Sequence, residues 1–146
     1  MGWGLIDLDR LARTSRVVSH GLLKPEGSPG AERLGSLYEL ALGLLEHYSP
    51  RVLAIESAFV GQYPKAALAL AEARGVIISC AHVCEIEVRQ YAPAEIKRAI
   101  TGHGNAPKER VRAAVVQRLA IDKSTPLDAS DALAIALTHA PQERAP

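Results

Sequence analysis

The sequence predicts an α/β protein in which a mixed β-sheet is flanked by helices on both faces. The chain opens with two strand-like runs, "GWGLIDLD" and "TSRVVSHGLL", and the charged "RLAR" between them is typical of a hairpin connection. Helical segments and short apolar strands then alternate along the chain. The last third is dominated by amphipathic helices. A hairpin followed by such alternation favours one mixed sheet covered by helices.

The middle of the chain is predicted to contain two helices and two strands in alternation. After the loop "KPEGSPG", the apolar residues of "AERLGSLYELALGLLEHY" recur at helical spacing. "RVLAIE" is a nearly continuous apolar strand of the kind buried on both faces. "KAALALAEARG" predicts an Ala-rich helix closed by Gly75, and "VIISCAHV" predicts another strand.

The remaining segments predict one strand and three helices: "CEIEVRQYAP" is extended, "APAEIKRAIT" is a helix with Pro93 near its start, "KERVRAAVVQRLA" is an amphipathic helix, and the final helix begins near Asp128. No internal repeat or domain boundary is visible. We therefore expect residues 1–146 to form a single domain.

Composition indicates a soluble cytosolic protein with no membrane segment. The apolar fraction is 48%, and we expect the apolar stretches to fall short of the ~20 residues that cross a bilayer. The N-terminus lacks the basic start and apolar core of a signal peptide. The "CAHVC" segment holds Cys80, His82 and Cys84, but a structural zinc site needs a fourth ligand and no second cluster follows. Reduced, partly buried thiols are the better interpretation.

Basic residues are concentrated in one part of the chain although the net charge is only +1. Seven of them lie between positions 89 and 118, opposed there by two glutamates: Arg89, Lys97, Arg98, Lys108, Arg110, Arg112 and Arg118. Such a surplus suits a phosphate-facing patch. It also suits a solvated helix face, which charge alone favours.

Three carboxylates are candidates for chemistry. Glu56 ends the strand "RVLAIE", where open α/β sheets place ligand sites, although strands also end in polar residues as loops begin. Asp128 and Asp131 are three residues apart on one helix face, which continues through apolar residues. Alone, they fit better as a helix N-cap and a first-turn acid, each worth ~0.3–1 kcal/mol. If Glu56 lies close to these two acids in the fold, the three carboxylates would need a cation such as Mg²⁺ or Mn²⁺. A pair of such ions about 4 Å apart suits phosphodiester hydrolysis.

Several motifs together resemble the RuvC family of Holliday-junction resolvases. "LAIESAFVGQYPKAALALAEARGV", "YAPAEIKRAITGHGNAPKERV" and "LDASDALAIALTHA" keep that family's order and spacing. The resemblance runs from Gly2 to about His139. It implies an RNase H-like fold, a homodimer, and symmetric cutting of four-way DNA junctions with Mg²⁺ or Mn²⁺, two ions per site. It also implies cooperation with the RuvA–RuvB branch-migration complex, in recombination and repair.

The resemblance also implies roles for individual residues. Glu56, Asp128 and Asp131 match metal-binding catalytic acids. Phe59 in "ESAF" matches an aromatic residue that wedges into the junction. The basic residues expected to contact DNA are Lys65, Arg74, Lys97, Lys108 and Arg110.

One family motif has no counterpart in the printed sequence. The family carries a further metal-binding aspartate in a "GIDPG" strand that precedes a segment like "GWG", whereas this sequence starts at "MGWGLI". If the printed chain is the real product, we expect the sheet to lack its central strand, with a gap in the core and one metal ligand fewer, and we expect this chain to be weakly folded or poorly active. A start codon placed too far downstream would produce this pattern. The alternative that "LIDLDRLARTS" is a divergent copy with Asp7 as the acid leaves too short a distance to Glu56.

Two functions are consistent with the sequence. The first is a Mg²⁺-dependent endonuclease that resolves junctions. The second is a catalytically silent member that binds junction DNA, because one metal-binding aspartate is absent. The acids alone do not separate these from an enzyme acting on RNA, but "GHGNAPKERV" and "ESAF" favour the junction resolvase.

Overall fold

The structure is a computed structural model that describes residues 1–9, 11–57 and 63–141. Its elements follow the order β1 (Gly2–Asp9), β2 (Thr14–Leu22), α1 (Ala31–Tyr48), β3 (Val52–Glu56), α2 (Pro64–Val83), β4 (Glu87–Tyr91), α3 (Pro93–Thr101), α4 (Lys108–Leu119) and α5 (Leu127–His139). The hairpin, α1, β3 and the three closing helices lie where the sequence predicts them.

Helix α2 differs from the sequence prediction. The predicted end at Gly75 and the strand "VIISCAHV" are both wrong, because α2 continues to Val83. Ile77, Cys80 and Ala81 are buried at helical spacing, which is the pattern of a helix with one packed face rather than of a strand. A side chain at Gly75 would meet nothing within 4 Å, so this glycine is an exposed mid-helix residue.

The four strands form two separate pairs instead of the single predicted sheet. Strands β1 and β2 are antiparallel, with Gly2 opposite Leu22 and Asp9 opposite Thr14. Strand β3 pairs with β4. In the part of the chain that the structure describes, no strand joins the two pairs.

The chain divides into two compact units, and the first contains the hairpin and the three closing helices. It comprises Met1–Leu22, Ala54–Glu56 and Arg89–Pro146. Its core is formed by apolar side chains from the end of β4, from α3, α4 and α5, and from the loop before α4: Tyr91, Ile96, Ile100, Ala106, Val111, Val115, Leu119, Leu133, Ala134 and Leu137. The three helices pack against one another, and α5 also packs on β1.

Two glycines of β1 allow α5 to lie close to the strand. A Cβ at Gly4 would come within 2.5 Å of Leu133 Cδ2, and a Cβ at Gly2 would overlap the backbone carbonyl of Asp128. Only glycine permits such an approach without displacing the helix. The "GWG" segment therefore sets where the first turns of α5 lie on the hairpin.

The second unit consists of Leu23–Leu53 and Ser57–Val88. Helices α1 and α2 pack together in it, and Leu37, Ala41 and Leu45 of α1 are buried. The Cys80 thiol donates to the Tyr38 carbonyl at 3.7 Å. Both cysteines are free thiols, Cys80 buried and Cys84 half-buried.

Helix α2 bears on the expectation that the apolar stretches are too short to cross a bilayer. It has 20 residues and is apolar enough, by length and composition, to cross a bilayer. Continuous apolar runs are shorter, because Lys65, Glu72 and Arg74 interrupt them. Only 17% of its apolar window is buried. Helix α2 therefore presents a large exposed apolar surface.

Candidate active site

The candidate site is built around the first turns of α5. The helix begins at Leu127 after Pro126, which occupies the N-cap position, and no side chain caps it. Asp128 is therefore inside the first turn, and the interpretation of this residue as the N-cap is wrong. Ala129 and Leu133 are fully buried, whereas Asp128 and Asp131 are exposed. Packing of the apolar face thus turns both carboxylates outward.

Glu56 contributes the second acidic position, at the carboxyl end of β3 and in the same unit. Partial burial raises the pKa of its carboxyl, and the negative charge of Asp131 raises it further. Lys108 and Lys97 act in the opposite direction. Glu56 and Asp131 are thus close enough to interact although 75 residues separate them in the sequence.

Asp131 is the acid that interacts with both of the others. Partial burial raises its pKa, Lys108 and Arg112 lower it, and Asp128 raises it. Since Glu56 also responds to Asp131, the acids form two interacting pairs that share Asp131. Mutual repulsion of this kind is relieved by a cation.

Two lysines face these acids from neighbouring helices. Lys108 is the first residue of α4 and is exposed. A cation at a helix N-terminus is opposed by the helix dipole, so this position does not favour folding. The same dipole and the ammonium group would together attract an anion such as a phosphate. Lys97 lies on α3, whose start is held by a 2.6 Å hydrogen bond from the Ala92 amide to Glu95.

The donor chemistry fits a hard divalent cation, but the geometry fits only in part. Carboxylate oxygens are the ligands that Mg²⁺ and Mn²⁺ prefer. Among residues 1–9, 11–57 and 63–141, however, no three His, Cys, Asp or Glu side chains form a group that could hold a metal ion. The described carboxylates are therefore brought together in pairs and do not close a three-ligand set.

The other predicted site residues lie in different places. Arg110 is exposed on α4 in the first unit. Lys65 and Arg74 lie on α2 in the second unit, exposed and half-buried respectively. Phe59 lies outside the described residues. Asp7, the alternative acid, instead forms an exposed ion pair with Arg16 at 3.0 Å.

Sequence reasoning missed two contributions to the site. Arg112 was counted only as part of a basic stretch, yet it influences Asp131. Its position one turn after Lys108 on α4 is the signal that could have identified it. The second contribution is the close packing at Gly2 and Gly4, for which the sequence offers only the pattern "GWG".

Carboxylates at a strand end and on a closing helix, next to lysines, are the arrangement of an RNase H-like nuclease. The family model "Crossover junction endodeoxyribonuclease RuvC" matches residues 1–139. The chain belongs to this family of hydrolases. The match to a solved RuvC structure confirms its α/β, RNase H-like fold.

Curated relatives and solved structures agree with this assignment. The chain is 39% identical to the RuvC protein of Hydrogenovibrio crunogenus over 138 residues, which are 94% of this chain and 79% of the relative. It is 40% identical to that of Chromohalobacter salexigens, covering 95% and 74%. The Thermus thermophilus RuvC structure superimposes with a TM-score of 0.86 at 31% identity, covering 98% of this chain and 88% of that one. The structure of that protein in complex with Holliday junction substrate matches with the same TM-score.

Proposed function

We propose that this protein is a structure-selective endonuclease that resolves Holliday junctions by metal-dependent phosphodiester hydrolysis. The observation that carries the proposal is the electrostatic coupling of Asp131 to Glu56 and Asp128, beside Lys108 and Lys97. Family membership supports a nuclease, and the matching Thermus thermophilus structure holds a Holliday junction substrate.

Glu56, Asp128 and Asp131 would hold the divalent ions, with Mg²⁺ or Mn²⁺ as the cofactor and two ions per site. When bound, such ions lower the pKa of water and neutralise charge at the phosphate. The part of the protein is to keep the carboxylates ionised and correctly oriented. Partial burial and Asp131 raise the pKa of Glu56, and Lys108 and Lys97 oppose this rise, so the two lysines favour the ionised form that can bind a cation.

DNA would be held by basic residues that contact its phosphates. Lys97, Lys108 and Arg110 are the proposed contacts from α3 and α4, and Lys65 and Arg74 those from α2. Phosphate contacts of this kind make binding salt-dependent. Phe59 is the proposed junction wedge.

The test is Asp131→Asn, compared with the wild type on a synthetic four-way junction with Mg²⁺. Asparagine keeps the size of the side chain but removes the charge that a metal ion requires. We expect the cleavage rate to fall by at least about 100-fold, as for loss of a principal electrostatic group, with junction affinity nearly unchanged. Glu39→Gln on α1 is the control with the same charge change on an exposed residue. Undiminished cutting by Asp131→Asn would rule out this assignment.

The protein is proposed to act as a homodimer through α2. Leu68 is 67% exposed and Leu70 is 54% exposed on this helix. An apolar helix of this kind is normally covered, and charged residues within it favour a protein partner over a bilayer. A second copy would also supply the second cut of a symmetric junction. A cytoplasmic location and cooperation with the RuvA–RuvB complex complete the proposal.

A second candidate function is a silent module that binds junction DNA without cutting it. Two observations favour it: the described carboxylates do not form a three-ligand group, and the strands form two separate pairs. The discriminating experiment compares this chain with a version preceded by a "GIDPG" strand. Tight junction binding with cutting only by the extended version supports the silent module. Equal cutting rates for both versions support the enzyme and contradict our expectation of weak activity.

A further inference from the structure

Arg112 connects α4 to the loop that leads into α5. Its Nη2 donates to the carbonyl oxygens of Lys123 and Thr125, at 2.8 Å each. Thr125 is 5% exposed, so one of the two acceptors belongs to a buried residue. Hydrogen bonds from a charged donor are about twice as strong as neutral ones.

The anchored loop determines where α5 begins. It contains its own turn, with the Ser124 amide donating to the Asp122 carboxylate at 2.6 Å and the Thr125 amide donating to the Asp122 carbonyl. One residue after Thr125 comes Pro126, the N-cap of α5, and Asp128 follows in the first turn. A displacement of the loop would therefore be transmitted directly to the acids.

Arg112 and Lys108 lie one turn apart on the same face of α4, and both act on Asp131. Their surroundings differ. Lys108 is exposed at the helix start, whereas Arg112 is half-buried and held by two carbonyls. The two cations therefore suit different tasks: the exposed Lys108 is accessible to an anion from solvent, whereas Arg112 is held by the loop that leads into α5.

Anchoring of the loop does not by itself explain why this position holds an arginine. Its Nη1 is buried and has no hydrogen-bond partner among the described residues. A buried donor without a partner costs about 1–3 kcal/mol, a cost that an apolar side chain of similar length would avoid. The positive charge next to Asp131 is what such a replacement would lose.

We propose that Arg112 is a positioning residue for the nuclease site: it holds the α4–α5 loop through the Lys123 and Thr125 carbonyls and thereby sets Asp128 and Asp131 in place. Its fixed charge also offsets the negative charge of Asp131. The expected effect on cutting rests on the proposed function. The anchoring of the loop rests only on the hydrogen bonds from Arg112 to the Lys123 and Thr125 carbonyls.

The kinetic test compares Arg112→Met, Arg112→Lys and the control Arg118→Met. Arg118 lies on the same helix and donates to the Ala99 carbonyl at 3.4 Å, so its replacement also removes an arginine-to-carbonyl bond. For Arg112→Met we expect a single-turnover cleavage rate at least about 10-fold lower, since small misplacements of reacting groups are costly. Junction Kd should stay within about 3-fold of the wild type, because Arg112 is not a phosphate contact.

Arg112→Lys keeps the positive charge and should recover at least about half of the lost cleavage rate on a logarithmic scale. The control Arg118→Met should cut at a rate within about 2-fold of the wild type. If Arg112→Met weakens junction binding as much as it slows cutting, Arg112 is a DNA contact and the inference fails. An equal loss of cutting in Arg118→Met also overturns it, because general destabilisation would then be the cause.

Amide hydrogen exchange provides a readout that does not depend on cutting. In Arg112→Met, amides of residues 120–131 should exchange at least about 10-fold faster than in the wild type, because local opening costs less. Those of α3 should be unchanged. Unaltered exchange in residues 120–131 would refute the anchoring role. If the wild type itself does not cut, the proposed function fails, and hydrogen exchange still decides whether Arg112 anchors the loop.

Discussion

Helices α5 and α2 are both rich in alanine and leucine, but their surroundings are opposite. In α5 the buried positions are Ala129, Ser130, Leu133, Ala134, Leu137, Thr138 and His139, which leave the two acids on the open side. In α2, which is seven residues longer, the buried positions are Ile77, Cys80 and Ala81. The apolar composition predicts that both helices are buried. Within this chain, that prediction is correct only for α5.

The difference shows how packing gives two helices of similar composition different exposed surfaces. The apolar face of α5 is covered by its own unit, so Asp128 and Asp131 are presented to solvent from a packed helix. The apolar surface of α2 remains uncovered, with Tyr63 at its N-cap 76% exposed. Such a surface is suited to association. The following four predictions test this contrast, from the largest expected effect to the smallest.

Leu133→Ala on α5 should destabilise the protein by about 3 kcal/mol, since the side chain is fully buried and its removal leaves a cavity. Leu68→Ala on α2 removes the same atoms from an exposed position and should change the free energy of unfolding by less than about 0.5 kcal/mol. Urea denaturation measures both. Similar values for the two variants would contradict the contrast between the helices.

The double variant Leu68→Glu with Leu70→Glu should raise the Kd of the proposed homodimer by at least about 30-fold, which corresponds to roughly 2 kcal/mol. Charges buried in an apolar interface lack partners. Sedimentation velocity across a concentration series gives the Kd. Val18→Glu replaces an exposed apolar residue of β2 and is the matched control. A double variant that dimerises like the wild type would place the interface elsewhere.

Tyr91→Phe should cost about 1–2 kcal/mol of stability. The Tyr91 hydroxyl and His139 Nδ1 lie 2.6 Å apart in a buried hydrogen bond that ties the end of β4 to the end of α5. Tyr63→Phe, at an exposed position, should be neutral in the same thermal unfolding assay. Equal stability of Tyr91→Phe and the wild type would show that this bond does not hold α5.

Asp131→Asn should raise Tm by about 1–2 °C at neutral pH without divalent ions, a small effect because the side chain is exposed. Burial raises the pKa of Asp131, so the ionised form disfavours the folded state at neutral pH. As pH falls through the raised pKa, the wild type regains this stability and the difference closes. Added Mg²⁺ should stabilise the wild type and not the variant. A variant less stable than the wild type at neutral pH would contradict this account.

The sequence predicted most elements because their signals are local. Amphipathic spacing located α1 and α4, and Pro93 marked the start of α3, whereas α5 begins at Leu127 after Pro126 and not at an Asp128 N-cap. The error at α2 arose because "VIIS" has strand propensity and Gly75 resembles a helix end, whereas contacts with α1 decide the conformation. The motifs predict Glu56, Asp128 and Asp131 as metal-binding acids, but no motif indicates that Arg112 donates to the Lys123 and Thr125 carbonyls.

The sequence by itself determined the order of the elements, the family and the chemical nature of the acids, because these follow from residue type and short-range spacing. Tertiary structure decided which face of α5 is buried, that Asp131 interacts with both Glu56 and Asp128, and that Arg112 reaches the Lys123 and Thr125 carbonyls. It also decided that α2 stays exposed and that the strands form two pairs. These outcomes depend on contacts between residues distant in sequence, which no local pattern specifies.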